Sequence, residues 1–296
     1  MTPGQLWRLS RPPTLAASIV PVAVGTAAGA LAHPPAWPLV GLMAAVALML
    51  QAATNMMNEY HDYARGVDEE ASVGIAGVLV RAEVAPASVR RAFVATLALA
   101  VASGLLLAWA RGPLLLALGA GGVAVAYLYN AGPLPISATP LGEVTVFVVM
   151  GVVEVLASEV AAVGRATRAG WMASLTVAAL VAVILLANNL RDREIDRRHG
   201  RRTLAILLGP RAGAALGAAL VAMALVWPAV AAAAGWLPWP CAATLLAVPA
   251  GLRFARSLLS DADPRTAVPR AARLELVAGG WLALGLAAAA ISLPRG

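Results

Sequence analysis

Apolar positions fall in nine runs of about the ~20 residues that a helix needs to cross a bilayer core of roughly 30 Å. They cover residues 15–32, 37–57, 92–110, 113–130, 141–163, 170–190, 212–234, 238–256 and 274–293. Polar positions bunch between them, in two long charged stretches at 58–91 and 188–211 and a basic one at 252–273. The first run follows Arg8 and Arg11 and ends in small residues, as a signal peptide does, but Pro21 and the eight further runs mark it as a retained first helix. Spacings such as Gly25-x3-Gly29 and Gly213-x3-Gly217 lie inside runs and predict close helix packing, not nucleotide fingerprints. The pattern predicts an all-α polytopic membrane helix bundle of nine transmembrane helices, forming a single domain over residues 1–296.

Composition sharpens this picture. The chain is 60% hydrophobic and 12% charged, far from the balance of a soluble domain. All 22 basic residues are arginine, which excludes a P-loop and lysine Schiff-base chemistry. One cysteine and three scattered histidines exclude a disulfide framework and argue against a cysteine–histidine zinc site. The pI near 10.9 is read as a membrane-topology signal, with anionic lipid and not nucleic acid as the partner. With the N-terminus inside, 18 arginines lie on the cytoplasmic side, against Arg111, Arg165, Arg168 and Arg295 on the other. Trp37, Trp109, Trp171, Trp236 and Trp239 fall at the opposite helix ends, as an interfacial belt does. A multi-pass protein of the cell membrane with a cytoplasmic N-terminus is expected.

Two acidic segments carry the candidate chemistry. Asn58-Glu59-Tyr60-His61-Asp62 runs on to Arg65, Gly66 and Asp68 after the second run. Asn188-Asn189-Leu190-Arg191-Asp192 runs on to Asp196, Arg197 and Arg198 after the sixth. Asn-x3-Asp sets an amide and a carboxylate one helical turn apart on one face, and Asp196 extends the second stripe by a turn. Gly66 is expected to break the first helix before Asp68. Hard divalent cations take oxygen ligands, so two facing stripes can hold Mg²⁺ ions that clamp a diphosphate. Arg65, Arg197, Arg198, Arg201 and Arg202 can then bind the remaining phosphate oxygens through forked donors. A neutralised allylic diphosphate leaves a carbocation, and an apolar helical chamber holds its tail away from water.

These residues resemble the UbiA superfamily of intramembrane prenyltransferases, and most closely its branch acting on 1,4-dihydroxy-2-naphthoate. The resemblance includes Arg11-Pro12-Pro13-Thr14-Leu15 with Pro21 and Gly25, and Asn58 through Asp68. It continues through Gly132-Pro133-Leu134-Pro135, Thr139-Pro140-Leu141-Gly142-Glu143, Asn188 through Arg198, Arg202-Thr203-Leu204 and Gly209. It implies nine helices around a central cavity under cytoplasmic cap loops, with the active site on the cytoplasmic side. It also implies Mg²⁺-dependent transfer of a polyprenyl chain from polyprenyl diphosphate to an aromatic acceptor. By motif position, Asn58, Asp62, Asp68, Asn188, Asp192 and Asp196 are implied as metal or diphosphate ligands, with the four aspartates catalytic. Arg65, Arg197, Arg198, Arg202 and Tyr60 join Asn58 and Asn188 as expected substrate-binding residues.

Two departures matter. The superfamily has Asn-Asp where this chain has Asn58-Glu59, and the stretch Ala71 to Arg81 replaces the Arg-Thr-x-x-Arg-Pro of the 4-hydroxybenzoate and haem branches. The latter resembles the dihydroxynaphthoate branch, which implies loss of the acceptor's carboxylate as CO₂ to give demethylmenaquinone. A different aromatic or lipid acceptor is the alternative within the family. An ion-coupled transporter is the alternative outside it, and the Asp-Gly-x2-Ala-Arg signature of alcohol phosphatidyltransferases is missing. Tyr60, Tyr63, Tyr127 and Tyr129 are candidates to present ring faces to the cation, and His61 for a base. Glu154 falls near mid-membrane, where a carboxyl is expected to face the bundle interior, be paired or be protonated, and Glu159 lies in the same run.

Overall fold

The computed structural model describes residues 1–67, 77–260 and 264–292. Among these residues there is no strand. After a short helix, α1 (Pro3–Leu9), come nine helices long and apolar enough to cross a membrane. They are α2 (Pro12–Ala30), α3 (Trp37–Ala64), α4 (Pro86–Arg111), α5 (Pro113–Asn130), α6 (Gly142–Val163), α7 (Arg168–Arg198), α8 (Leu204–Ala233), α9 (Trp239–Leu259) and α10 (Ala267–Ser292).

Helix and apolar run differ mainly at one end of the bundle, here called the motif end. α3 and α7 contain 28 and 31 residues. At 1.5 Å per residue they are each over ~40 Å long and outreach a hydrocarbon core of roughly 30 Å. The apolar runs stop at 57 and 190, whereas the helices continue to Ala64 and Arg198 and carry Asn58 to Asp62 and Asn188 to Asp196 on α-helix. Gly66, at φ +68°, then turns the chain after α3, as the sequence predicts. α8 shows the reverse effect. Gly209 has non-helical dihedrals (φ 74°, ψ 174°) before Pro210, so the straight membrane helix begins close to the predicted residue 212.

α7 is the most deeply buried span and packs on α2, α6, α8 and α10, whereas α4 and α5 lie at the periphery with mostly exposed surfaces. Without a hydrophobic driving force between lipid-bathed helices, close backbone approach supplies the packing. A Cβ at Gly25 would lie 2.2 Å from the Val155 carbonyl of α6, and one at Gly213 would lie 2.8 Å from Leu190 of α7. α6 contains a π-helical turn at Phe147–Val153, centred where Gly151 sits against the Ala178 backbone of α7. This turn re-aims the residue that follows it, Glu154. The five tryptophans read as a belt are exposed, at helix ends opposite the motif end.

Glu159 has a packing role there. Its fully buried carboxylate accepts hydrogen bonds from the Thr167 backbone N–H (3.0 Å) and hydroxyl (2.5 Å), tying α6 to the start of α7. A Cβ at Gly170 would fall 1.9 Å from Glu159 Oε2. Gly170→Ala is therefore expected to destabilise the fold by about 1–3 kcal/mol through overpacking. A lowered thermal midpoint in detergent, with motif-end chemistry unchanged in the surviving folded fraction, checks this.

Candidate active site

The ends of α3 and α7 face one another across the mouth of a cavity of about 680 Å³. Asn58 and Asp62 reach it from α3, and Asn188, Asp192 and Asp196 from α7. The i, i+4 spacing places each set on one face, and the tertiary packing turns the two faces together. Arg201, in the turn after α7, lies between them. Its guanidinium hydrogen-bonds Asp62, and its Nη1 is 3.2 Å from Asp196 Oδ1. Arg191 grips Asp192 through Nε (2.7 Å) and Nη2 (2.6 Å) and donates to Asn188 Oδ1 (2.8 Å). Arg65 stands 3.9 Å from Asp62 and donates to the Asn130 and Gly132 carbonyls at 2.9 and 3.2 Å. Asn58 donates to Asn130 Oδ1 (3.3 Å), and Asn189 to Glu143 Oε1 (2.9 Å), so the amides at these helix ends are paired.

The other sequence-selected residues divide. Asp68 and residues 71–76 of the branch-specific stretch lie outside the described residues. Arg65 and Arg202 line a second cavity of about 550 Å³ that adjoins the first at Val67 and Arg201. Arg197 and Arg198 do not reach either cavity. One and two residues past Asp196, they rotate about 100° and 200° off its face, and Arg197 pairs with Glu194 at 2.9 Å on the exposed side. Tyr60 also points away, packing on His61 and Phe93 with ring centroids 5.3 and 5.7 Å apart. Of the four tyrosines, Tyr129 alone lines the main cavity. Arg191 and Asn130 were not selected from the sequence. Arg191 could have been, since it stands three residues after Asn188 on the same helical surface. Asn130 carries no signal beyond ending an apolar run.

Glu59 faces away from the cavity. It is 1% exposed, and its carboxylate accepts from the backbone N–H groups of Gly77 (3.3 Å), Val78 (2.7 Å) and Leu79 (3.3 Å). Arg11 adds an ion pair at 3.6 Å. Successive N–H groups converging on one carboxylate form an anion nest. The loop held in this way closes an apolar cluster of Leu9, Met56, Met57, Val78, Leu79, Val89 and Phe93. Asn55 ties the N-terminal arm to the same helix end, donating to the Ser10 carbonyl (2.8 Å) and Thr14 Oγ1 (2.9 Å). On the surface Glu83 bonds Arg8 and Arg81, whose donors hold its carboxyl at about 2.

Away from the carboxylates the cavity walls become apolar, with Met43, Val46, Leu50, Val146, Val181 and Ile184. Glu154 also lines this chamber, as a mid-span carboxyl facing the bundle interior, and its Oε1 has no hydrogen-bond partner among the described residues.

The two stripes that line the main cavity offer oxygen donors, three carboxylates and two amides, which fit a hard divalent cation and not a soft one. Among the described residues no group of three or more His, Cys, Asp or Glu side chains is placed to hold a metal ion by itself. Mg²⁺ is usually held by one or two carboxylates together with substrate phosphates.

Comparison with known proteins bears on this geometry. Residues 18–277 match the model of the UbiA prenyltransferase family. The chain is 35% identical over 288 residues to a 1,4-dihydroxy-2-naphthoate octaprenyltransferase of Bacillus subtilis strain 168, covering 95% of this chain and 91% of that one. A protein of the same name from Mycobacterium tuberculosis is 36% identical over 260 residues, covering 88% of each. The fold is similar to that of a UbiA homolog from Archaeoglobus fulgidus solved with GPP and Mg²⁺, with a TM-score of 0.67 at 16% identity over 96% of this chain and 99% of that one.

Proposed function

The chain belongs to the UbiA prenyltransferase family. From that premise we propose that it transfers a polyprenyl chain from polyprenyl diphosphate to 1,4-dihydroxy-2-naphthoate, releasing CO₂ and forming demethylmenaquinone in its quinol form. The observation that carries the reading is the meeting of two acidic helix ends at the mouth of a chamber whose deeper walls are mostly apolar. The names of its near full-length relatives support the naphthoate acceptor.

Asn58, Asp62, Asn188, Asp192 and Asp196 hold Mg²⁺, with Asp68 a further ligand by its place in the motif. The chemistry it supplies is charge neutralisation on the diphosphate, which makes that group a leaving group. The arginines at the mouth orient the diphosphate oxygens through forked donors. The chamber walls take the isoprenoid tail and exclude water, which would otherwise capture the allylic cation. Tyr129, which lines the cavity, is the tyrosine to present its ring face to that cation. The acceptor's ring carbon bearing the carboxylate attacks the allylic carbon as the carbon–oxygen bond to diphosphate breaks. Loss of CO₂ returns the electron pair to the ring, so the sequence needs no oxidant and no added proton. The arginine distribution supports a cell-membrane protein with its N-terminus and active site on the cytoplasmic side.

The test is purified protein with Mg²⁺, a polyprenyl diphosphate and carboxyl-labelled 1,4-dihydroxy-2-naphthoate. Labelled CO₂ is expected in step with prenylated product, and EDTA is expected to stop both. Product from a different acceptor with no CO₂ release would keep the family chemistry and discard the naphthoate.

A further inference from the structure

We infer that Arg201 is a built-in counter-cation that holds the two carboxylate stripes together and yields its place to the divalent cation only when a diphosphate arrives. This rests on reading the stripes as the cation site.

The chain places this arginine with care. Gly200, at φ +73°, reverses the backbone directly after α7. The Arg201 N–H then bonds the Asp196 carbonyl (3.0 Å), and the Arg202 N–H bonds the Ala138 carbonyl (2.8 Å). Backbone bonds on both sides fix the turn and aim one guanidinium between α3 and α7. Its side chain is 13% exposed, and those of Asp62 and Asp196 are 10% and 5% exposed.

Arg201 engages Oδ1 of Asp62 and Oδ1 of Asp196, one carboxylate from each of the two stripes read as the cation site. The guanidinium and a hard cation compete for these ligands and repel one another. Among the described residues Asp62, Asp192 and Asp196 each already have an arginine partner, Asp62 in Arg65 and Arg201, Asp192 in Arg191 and Asp196 in Arg201. A bare divalent cation meets carboxylates that are already paired with cations. A diphosphate brings negative charge and acceptor oxygens matched to the guanidinium fork, so Arg201 can exchange carboxylate for phosphate as the metal takes its oxygens. Metal and diphosphate thus bind as a coupled pair, each raising the other's affinity by the same factor.

Electron paramagnetic resonance of Mn²⁺ with the purified full-length chain tests this without turnover. In wild type, Mn²⁺ is expected to bind weakly alone and at least about tenfold more tightly with geranyl S-thiolodiphosphate, an unreactive prenyl diphosphate analogue. Arg201→Gln is expected to bind Mn²⁺ alone about tenfold more tightly than wild type and to gain less from the analogue. Arg201→Lys, which keeps the charge, should stay near wild type. Arg201→Gln binding Mn²⁺ no more tightly than wild type overturns the inference. So does a wild type that gains nothing from the analogue, a result that stands even if the variant fails to fold. If Asp62→Asn and Asp196→Asn leave Mn²⁺ binding unchanged with and without the analogue, the cation-site reading itself fails, and the inference with it.

Discussion

Asp62→Asn and Asp192→Asn each lower kcat/KM for prenyl transfer by roughly 10³-fold, a loss of about 4 kcal/mol of transition-state stabilisation. Asparagine keeps the size of the side chain and one acceptor oxygen, so the bonds to Arg201 and Arg191 persist in weakened form. What it loses is the charge that holds a hard cation against the leaving diphosphate. The two residues stand on different helices and bear on the same bound group, so the double variant should fall well short of the product of the two losses. Steady-state kinetics across a Mg²⁺ series, with thermal melting of each variant, separates this from misfolding. Near wild-type turnover in both single variants would remove these carboxylates from the metal site.

Glu59→Ala acts on stability. It leaves the backbone N–H groups of Gly77, Val78 and Leu79 without their carboxylate and takes the ion pair from Arg11, all at a buried position. Removing one partner from such an arrangement costs about 3–5 kcal/mol. Glu59→Gln keeps an acceptor oxygen and should cost less, because it gives up the charge but not every hydrogen bond. Thermal unfolding in detergent ranks the two. Equal midpoints for wild type and Glu59→Ala would mean that the loop after the first motif is held by its apolar cluster alone.

Much of the bundle is legible along the chain. Apolar run length marks the nine spans, because a bilayer imposes one length on every helix that crosses it. The Gly25 spacing marks close backbone approach to Val155, and Gly213 leaves room for the Leu190 side chain. The motif aspartates are legible because an i, i+4 pattern puts polar groups on one helix face whatever lies opposite. The same helical geometry argues against Arg197 and Arg198, which nearness in sequence to Asp196 had favoured.

Other assignments needed the third dimension. Glu59 sits inside the motif yet turns its back on the cavity, because its partners are backbone amides at least 18 residues away that carry no side-chain signature. Position in the motif favoured Tyr60 over Tyr129, yet packing sends Tyr60 to the apolar cluster and Tyr129 to the chamber. Glu159 reads as a mid-run puzzle until the α6–α7 turn brings Thr167 to it.

The spans, the two carboxylate stripes and the family are legible in the chain, since each is written in spacing along one helix or in motifs read end to end. Tertiary structure alone decided that the stripes face each other, that Arg201 lies between them and that Glu59 binds a loop. Those facts depend on how separate helices rotate and pack, and no local period encodes a rotation between two helices.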